Sequence, residues 1–282
     1  MINEVRIAVR LVFVVCLLRT MTFLYYSVFL LLISCDFSLT AGKAVNLADE
    51  CKCQKHFKPM DCAEILENGN TESGVYTIWP RSRLANCSSI EVYCDMETAG
   101  GGWTVIQRRG DYGNGMDYFS KNWAQYKTGF GDIKREFWFG NDNIFLITNQ
   151  ARYSIRMDLT HGNEKTAFVV YENFWIDNEE KLYTLHISQP SGPAGGSITN
   201  HDGKPFYTWD RPNTPDGKRP EKMHEGGWWN NAFPSSTLNG LNRNGQQWVN
   251  EMDAIQWMDF GGFQNSLAAT EMKVRPKKFH AK

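Results

Sequence analysis

Residues 91–143 restrict the possible folds of this chain more than any other stretch. Val92 and Tyr93 favour a strand, and Cys94 on that strand can anchor a disulfide. Gly100, Gly101 and Gly102 break the pattern, because residues without a Cβ tolerate positive φ. Trp103 to Gln107 is a second apolar run, so the unit reads as strand, turn, strand. The stretch continues through Arg108-Arg109, Phe130-Gly131-Asp132, Glu136-Phe137-Trp138-Phe139-Gly140 and Asn141-Asp142-Asn143. A phosphate-binding loop would need Gly-Lys-Ser/Thr after the glycines, and none is present there.

A length of 282 residues suits one or two domains and leaves chain enough for one sizeable core. Its formal net charge of −1 argues against a general polyanion binder, and no block of like charge suggests a nucleic-acid arm. Lys273, Arg275, Lys277 and Lys278 read as a solvated C-terminal tail rather than a heparin patch.

Two apolar runs lie near the N-terminus, 11–18 and 23–33, each shorter than the roughly 20 residues of a membrane span. The second fits the apolar region of a secretory signal with Arg19 as its positive flank, which predicts secretion. Gly42-Lys43-Ala44 offers a small-x-small cleavage site, with Ala41 as a second choice, so residues 1–44 read as a leader. Initiation at Met21 would give a more ordinary signal, and a signal anchor is the alternative reading. After that cut the chain keeps five cysteines, Cys51, Cys53, Cys62, Cys87 and Cys94. In a secreted chain these are disulfide formers, and an odd number leaves at least one thiol for another chain. Cys51 and Cys53 cannot easily bridge each other, because extended neighbours point to opposite sides. They are the candidates for interchain bonds in a homo-oligomer. A zinc site is the competing reading of the two close cysteines, though no second Cys/His pair follows at finger spacing.

Residues 45–58 form a linker with neither a collagen repeat nor a sustained heptad. Residues 61–66 suit a short helix with Asp61 at its start, and 74–79 a strand ended by Pro80. Asn86-Cys87-Ser88 is the one glycosylation sequon, so Asn86 is a candidate glycan carrier. Phe119, Trp123 and Tyr126 recur at helical spacing across 118–127 as a core stripe. Residues 143–149 fit either helix or strand. Tyr153, Ile155, Met157 and Leu159 alternate as a half-buried strand, 166–171 and 183–187 read as two more, and together they suggest an antiparallel sheet. From Ser191 to about Arg243 periodicity is lost, and so long a loop region in a compact domain is usually functional or disordered. Residues 254–258 and 270–274 return to strand-like patterns.

No motif points to an enzyme. Neither a Gly-x-Ser-x-Gly elbow nor His-Glu-x-x-His is present. His161, His186, His201 and His224 are scattered and read as surface or structural residues, and Glu179-Glu180 as solvated carboxylates at a turn.

The succession of motifs resembles the fibrinogen C-terminal domain, the globular module of fibrinogens, ficolins, tenascins, angiopoietins and tachylectin-type lectins. The likeness runs from Met60-Asp61-Cys62 to Glu271-Met272-Lys273-Val274-Arg275-Pro276. It implies an α+β fold over 59–277, with a central antiparallel sheet, short helices and a loop-rich C-terminal binding region, ending in a tail at 278–282. It also implies a Cys62–Cys94 disulfide. The short cysteine-bearing linker looks most like the tachylectin type.

In the family, an Asp-x-Asp-x-Asp run supplies carboxylates to calcium. Asp210 matches the first, but Pro212 and Thr214 stand at the other two, and Asp216 is out of register. The resemblance therefore implies a degenerate calcium site and no cofactor. The ligand pocket departs as well. Gly226-Gly227-Trp228-Trp229 and Leu238-Asn239-Gly240 are retained, whereas the family's two pocket cysteines fall on Pro220 and Phe233 and its histidine on Pro234. Leu241 and Asn242 stand where an acetyl-receiving aromatic is expected. Trp228, Trp229, Asn239 and Asp210 are the candidate ligand-binding residues, with core packing as the competing role of the two tryptophans. The function implied by the resemblance is that of a non-catalytic, secreted recognition protein, a binder of microbial surface glycans acting by multivalency. The alternatives are a module for an extracellular protein receptor or matrix, and a secreted toxin or salivary component.

Overall fold

The computed structural model describes residues 55–82, 88–213, 226–229, 235–247, 253–277 and 279. The expectations for Cys51, Cys53, Asn86, Cys87, Thr214, Asp216, Pro220, His224, Phe233 and Pro234 lie outside them, as do the leader and most of the linker.

The first described helix, α1 (Cys62–Glu67), starts where Asp61 accepts the Glu64 N–H at 3.1 Å, satisfying one of the donors that a helix start leaves unpaired. Strands β1 (Gly74–Ile78), β2 (Ile90–Asp95) and β3 (Trp103–Arg109) form an antiparallel ladder after it. The turn between β2 and β3 needs its glycines. At Gly101 φ is +74°, and a Cβ there would stand 2.3 Å from the Met96 carbonyl oxygen. Cys62 on α1 and Cys94 on β2 form a disulfide across 5.4 Å between Cα atoms, both fully buried.

The stripe 118–127 is only partly helical. Asn122 and Gln125 close a capping box, so α2 spans Trp123–Thr128 and Phe119 lies before it. Phe119, Trp123 and Tyr126 are buried all the same, and the Tyr126 hydroxyl donates to the Phe119 carbonyl at 2.8 Å. Two short strands come next, β4 (Phe130–Gly131) and β5 (Phe137–Trp138), and then α3 (Asn141–Thr148), which decides the open reading of 143–149 in favour of helix. β6 (Tyr153–His161), β7 (Thr166–Ile176) and β8 (Leu185–Ser191) complete one half of the sheet. β7 runs five residues beyond the expected 171, because its alternation passes through a register shift opposite 153–155 before Phe174 and Ile176 return to the core.

After the loop-rich stretch come β9 (Phe206–Tyr207), β10 (Trp228–Trp229), β11 (Ser236–Thr237), β12 (Gln256–Trp257), a single helical turn α4 (Met258–Gly261) and β13 (Leu267–Pro276). The chain thus returns to the sheet at its end. The strand order is β1-β2-β3-β13-β6-β7-β8, with β5 on β3 and β4 on β5, and every pair is antiparallel. β3 is central: β13 covers one edge, while β2 pairs with its first half and β5 with its second. All seven residues of β3 are buried, including Gln107, Arg108 and Arg109.

Of the basic residues near the C-terminus, Lys273 and Arg275 are not a solvated tail, whereas Lys277 is exposed and Lys278 lies outside the described residues. Lys273 lies buried on β13 against Asp95 (2.5 Å), Glu271 (2.7 Å) and Asp158 (3.0 Å), and Arg275 stacks 4.1 Å over the Trp103 ring. Burial opposes ionisation of the Asp95 carboxyl, but the Lys273 ammonium and hydrogen bonds from Thr98 overcome it and hold that carboxyl at about 2. The expectation of a solvated stretch failed because spacing alone does not reveal that β13 is an inner strand.

Candidate functional site

The site lies where the loop-rich stretch packs on β3 and α2. β9 and β10 pair Phe206 with Trp229 and Tyr207 with Trp228. Trp229 enters an aromatic cluster, with its ring centroid 5.2 Å from Phe206, 5.2 Å from Trp228 and 6.2 Å from Trp138. Its indole N–H donates to the Tyr183 carbonyl at 2.8 Å. Both tryptophans are 0 % exposed, so neither presents an open ring face to a sugar. The Trp228 indole N–H is different in one respect: it is buried and meets no acceptor among the described residues. Ser236 Oγ and Thr237 Oγ1, on β11, are buried and unpartnered in the same way.

Asn239 is also fully buried. It donates to the Gly227 carbonyl at 2.8 Å, which ties its loop to β10, and accepts from Gln107 Nε2 at 3.1 Å. Gln107 donates as well to the Leu238 carbonyl at 3.0 Å. Arg109, two residues on along β3, places Nη1 3.0 Å from the Leu238 carbonyl and 2.8 Å from that of Gly240. Its Nε pairs with Glu136 at 2.7 Å, and its guanidinium lies 3.8 Å over the Phe119 ring. Burial alone pulls the Arg109 guanidinium down, and Glu136 opposes that. Two side chains of one central strand therefore fix residues 238–240. Nothing in the local sequence announced them, although polar residues at 107, 108 and 109 in an otherwise apolar strand were a signal that this strand holds something besides apolar side chains.

His201 is a second fixing residue. It is fully buried, with Nδ1 at 2.5 Å from the Trp229 carbonyl and Nε2 at 3.3 Å from the Ser235 N–H. A carbonyl can only accept and an N–H can only donate, so the ring is neutral with its proton on Nδ1. Burial lowers its pKa, which keeps it in that state. Of the four histidines read from the sequence as surface or structural, this one is structural and joins β10 to Ser235.

Asp210 stands three residues beyond β9, on a tight turn in which Thr208 and Arg211 exchange both backbone hydrogen bonds. Its Oδ1 accepts the Trp123 backbone N–H at 2.9 Å and the Thr208 hydroxyl at 2.7 Å. It thus serves the first turn of α2. Arg211 stacks 4.1 Å over the Trp123 ring, and Asn213, at φ +50°, donates to the Phe206 carbonyl. Calcium takes six to eight oxygens, several of them carboxylate. Among the described residues of this turn Asp210 supplies the sole carboxylate, Pro212 supplies no side-chain oxygen, and no group of three metal-ligating side chains occurs. The described donors alone fall short of that number. Glu179, one of the two adjacent carboxylates, accepts from Lys127 at 2.6 Å and from the Trp123 indole at 2.7 Å, bonds that lower its pKa and tie it to α2.

An antiparallel sheet with short helices and a loop-rich cap tied to a central strand defines a fibrinogen-like globe. The family model for the C-terminal globular domain of fibrinogen beta and gamma chains matches residues 58–277, and the chain belongs to that family. It is 48 % identical to Techylectin-5A of Tachypleus tridentatus over 222 residues, 79 % of this chain and 75 % of that protein. It is 41 % identical to human Tenascin-R over 77 % of this chain, but spans only 15 % of Tenascin-R. Among solved structures, the fibrinogen-like globe domain of human ANGPTL2 superimposes with a TM-score of 0.72 at 35 % identity, covering 78 % of this chain and 99 % of that one. Lamprey fibrin D-dimer, complexed with a Gly-His-Arg-Pro-amide ligand, superimposes with a TM-score of 0.69 at 26 % identity, covering 94 % of this chain and 85 % of that one. The fold is α+β as expected, and the chain is a non-catalytic member of the family.

Proposed function

We propose that this chain is a secreted, lectin-like recognition protein that binds microbial surface glycans through the region around β10 and the 235–242 loop. The geometric observation that carries the reading is the buried, unpartnered indole N–H of Trp228, with the Ser236 and Thr237 hydroxyls nearby in sequence to Leu238-Asn239. Leaving such a donor unsatisfied costs roughly 1–3 kcal/mol, which an acceptor on a ligand would offset. Trp228 is 0 % exposed, so a ligand engages this N–H only when the groups that cover it move aside. The similarity to Techylectin-5A over three-quarters of that protein's length, and its name, support the same reading. Weak single sites then give avid binding through chains linked by Cys51 or Cys53. Among the described residues no helix is long and apolar enough to cross a membrane.

The test is binding of the purified chain to bacterial surfaces with acetylated sugars as competitors. Binding that these sugars block supports the proposal. Saturable binding to host cells that they leave unchanged supports the second reading, a module for a protein partner, which the likeness to Tenascin-R and to the peptide-bound fibrin domain favours. On non-reducing gels the protein should run as an oligomer and collapse to monomer when Cys51 and Cys53 are both changed to Ser. A wild type that already runs as monomer excludes the linkage.

A further inference from the structure

The outer face of the sheet carries a second concave surface that the site above does not use. β7 and β8 pair Trp175 with His186 and Asn173 with Ser188, and the two-residue period turns these four away from the core, where Phe174, Ile176 and Ile187 point. Trp175 is 39 % exposed, unusual here for so large an apolar group. It is not loose: the His186 ring lies parallel to it at 4.6 Å and 10°, and His186 is itself held by Asp177 at 3.0 Å. At the foot of β6, Arg152 is exposed, and its guanidinium meets no partner among the described residues. Trp175, Arg152, Asn149, Asn173 and Ser188 line one cavity of about 420 Å³. That size lies within the range of small-ligand sites, as does the combination of one aromatic with a few polar groups. The nearby carboxylates are already matched, Asp177 by His186 and Glu172 by Lys277 at 3.5 Å. Arg152 is therefore the uncompensated charge of the cavity.

We propose that this cavity is a binding site for an acidic sugar, a pyranose ring that carries a carboxylate. The electron-rich indole face of Trp175 receives the C–H face of the ring, whose hydrogens carry partial positive charge. Arg152 grips the carboxylate through its planar fork, the geometry that suits it to that group. The Ser188 hydroxyl, which accepts from Asn173 at 3.0 Å, keeps its proton to donate to a ring hydroxyl. A nucleic acid is a poorer match, because it needs a track of cations and the cavity has one. This cavity shares no lining residue with the region around Trp228 and the 235–242 loop, and binding at one does not require binding at the other.

The experiment is saturation-transfer NMR titration of the full chain with D-galacturonate and with D-galactose, neither of which is acetylated. Galacturonate should bind more tightly than galactose. Arg152→Gln should weaken galacturonate about tenfold or more and leave galactose unchanged, since a bidentate charge-assisted pair is lost. Trp175→Ala should weaken both sugars. Arg152 is at the surface, so its variant should melt as the wild type does; Trp175→Ala loses the stack on His186 and should melt somewhat lower, with a cooperative transition showing that it folds. Galacturonate affinity unaffected by Arg152→Gln, or equal affinities for the two sugars in the wild type, overturns the proposal. So does competition by acetate or a short peptide carboxylate as strong as that by galacturonate, which would assign the cavity to carboxylates of any shape.

Discussion

The sheet and the loop-rich cap are held together by different means. The sheet closes through long backbone ladders, β6 with β7 and β13 above all, whose hydrogen bonds any residue except proline can make. The cap, between β8 and β13, has strands of only two residues. Besides scattered backbone bonds, several of its carbonyls are met by side chains: Arg109 and Gln107 from β3, Asn239, His201 and the indole of Trp257. A backbone ladder tolerates substitution, whereas a side-chain donor is lost with its residue. The cap can therefore diversify between its fixed points, but each of those points is sensitive.

The sharpest way to break this comparison is to remove Arg109. Arg109→Met leaves Glu136 as a buried carboxylate without its cation, orphans the Gly240 carbonyl and takes one of two donors from that of Leu238. Breaking one partner of a buried pair costs about 3–5 kcal/mol. Urea unfolding should show that loss, and hydrogen exchange should show residues 235–242 opening before β6 and β7. Uniform exchange across both regions would mean that the cap does not depend on β3.

The complementary change lies in the sheet. Replacing Cys62 and Cys94 together by Ala opens a loop with a sequence separation of 32 and should cost about 3–4 kcal/mol by chain entropy. Exchange should then rise first in α1, β1 and β2, with the cap protected. Peptide mapping that finds Cys62 bound to Cys87 would overturn the assignment.

His201 gives a pH-dependent distinction. Its folded pKa lies below the ordinary value of 6.5, because burial disfavours the charged ring. The unfolded chain therefore binds more protons below pH 6.5, and stability falls as pH drops through that value towards the folded pKa. His201→Gln should cost about 1–3 kcal/mol near neutral pH and flatten the stability profile as pH falls below 6.5. A profile that the substitution leaves unchanged assigns the titration to another group.

The smallest effect is expected at Asp210. Asp210→Ala should cost about 0.5–2 kcal/mol through the lost acceptor at the start of α2, equally in millimolar calcium and in excess chelator. A calcium-dependent rise in melting temperature that this substitution abolishes would show instead that Asp210 is a metal ligand.

The sheet and the family are written in the amino-acid order. Alternation at 153–159, the glycine turn between Cys94 and Trp103, and Asp61 before a short apolar run each encode local geometry through φ preference, period or capping, and each recurs in the structure. The motif order from Cys62 to Pro276 was specific enough to name the fold. Legibility failed where a residue's role depends on a partner far away along the chain. Arg109 and Leu238 are 129 positions apart, and Lys273 and Asp95 are 178 apart. It took the assembled fold to establish that Lys273 is buried rather than solvated, that Trp228 and Trp229 are walled in, and that Asp210 serves a helix. Burial and pairing across such separations depend on which strands become neighbours, and no local pattern of residues carries that information.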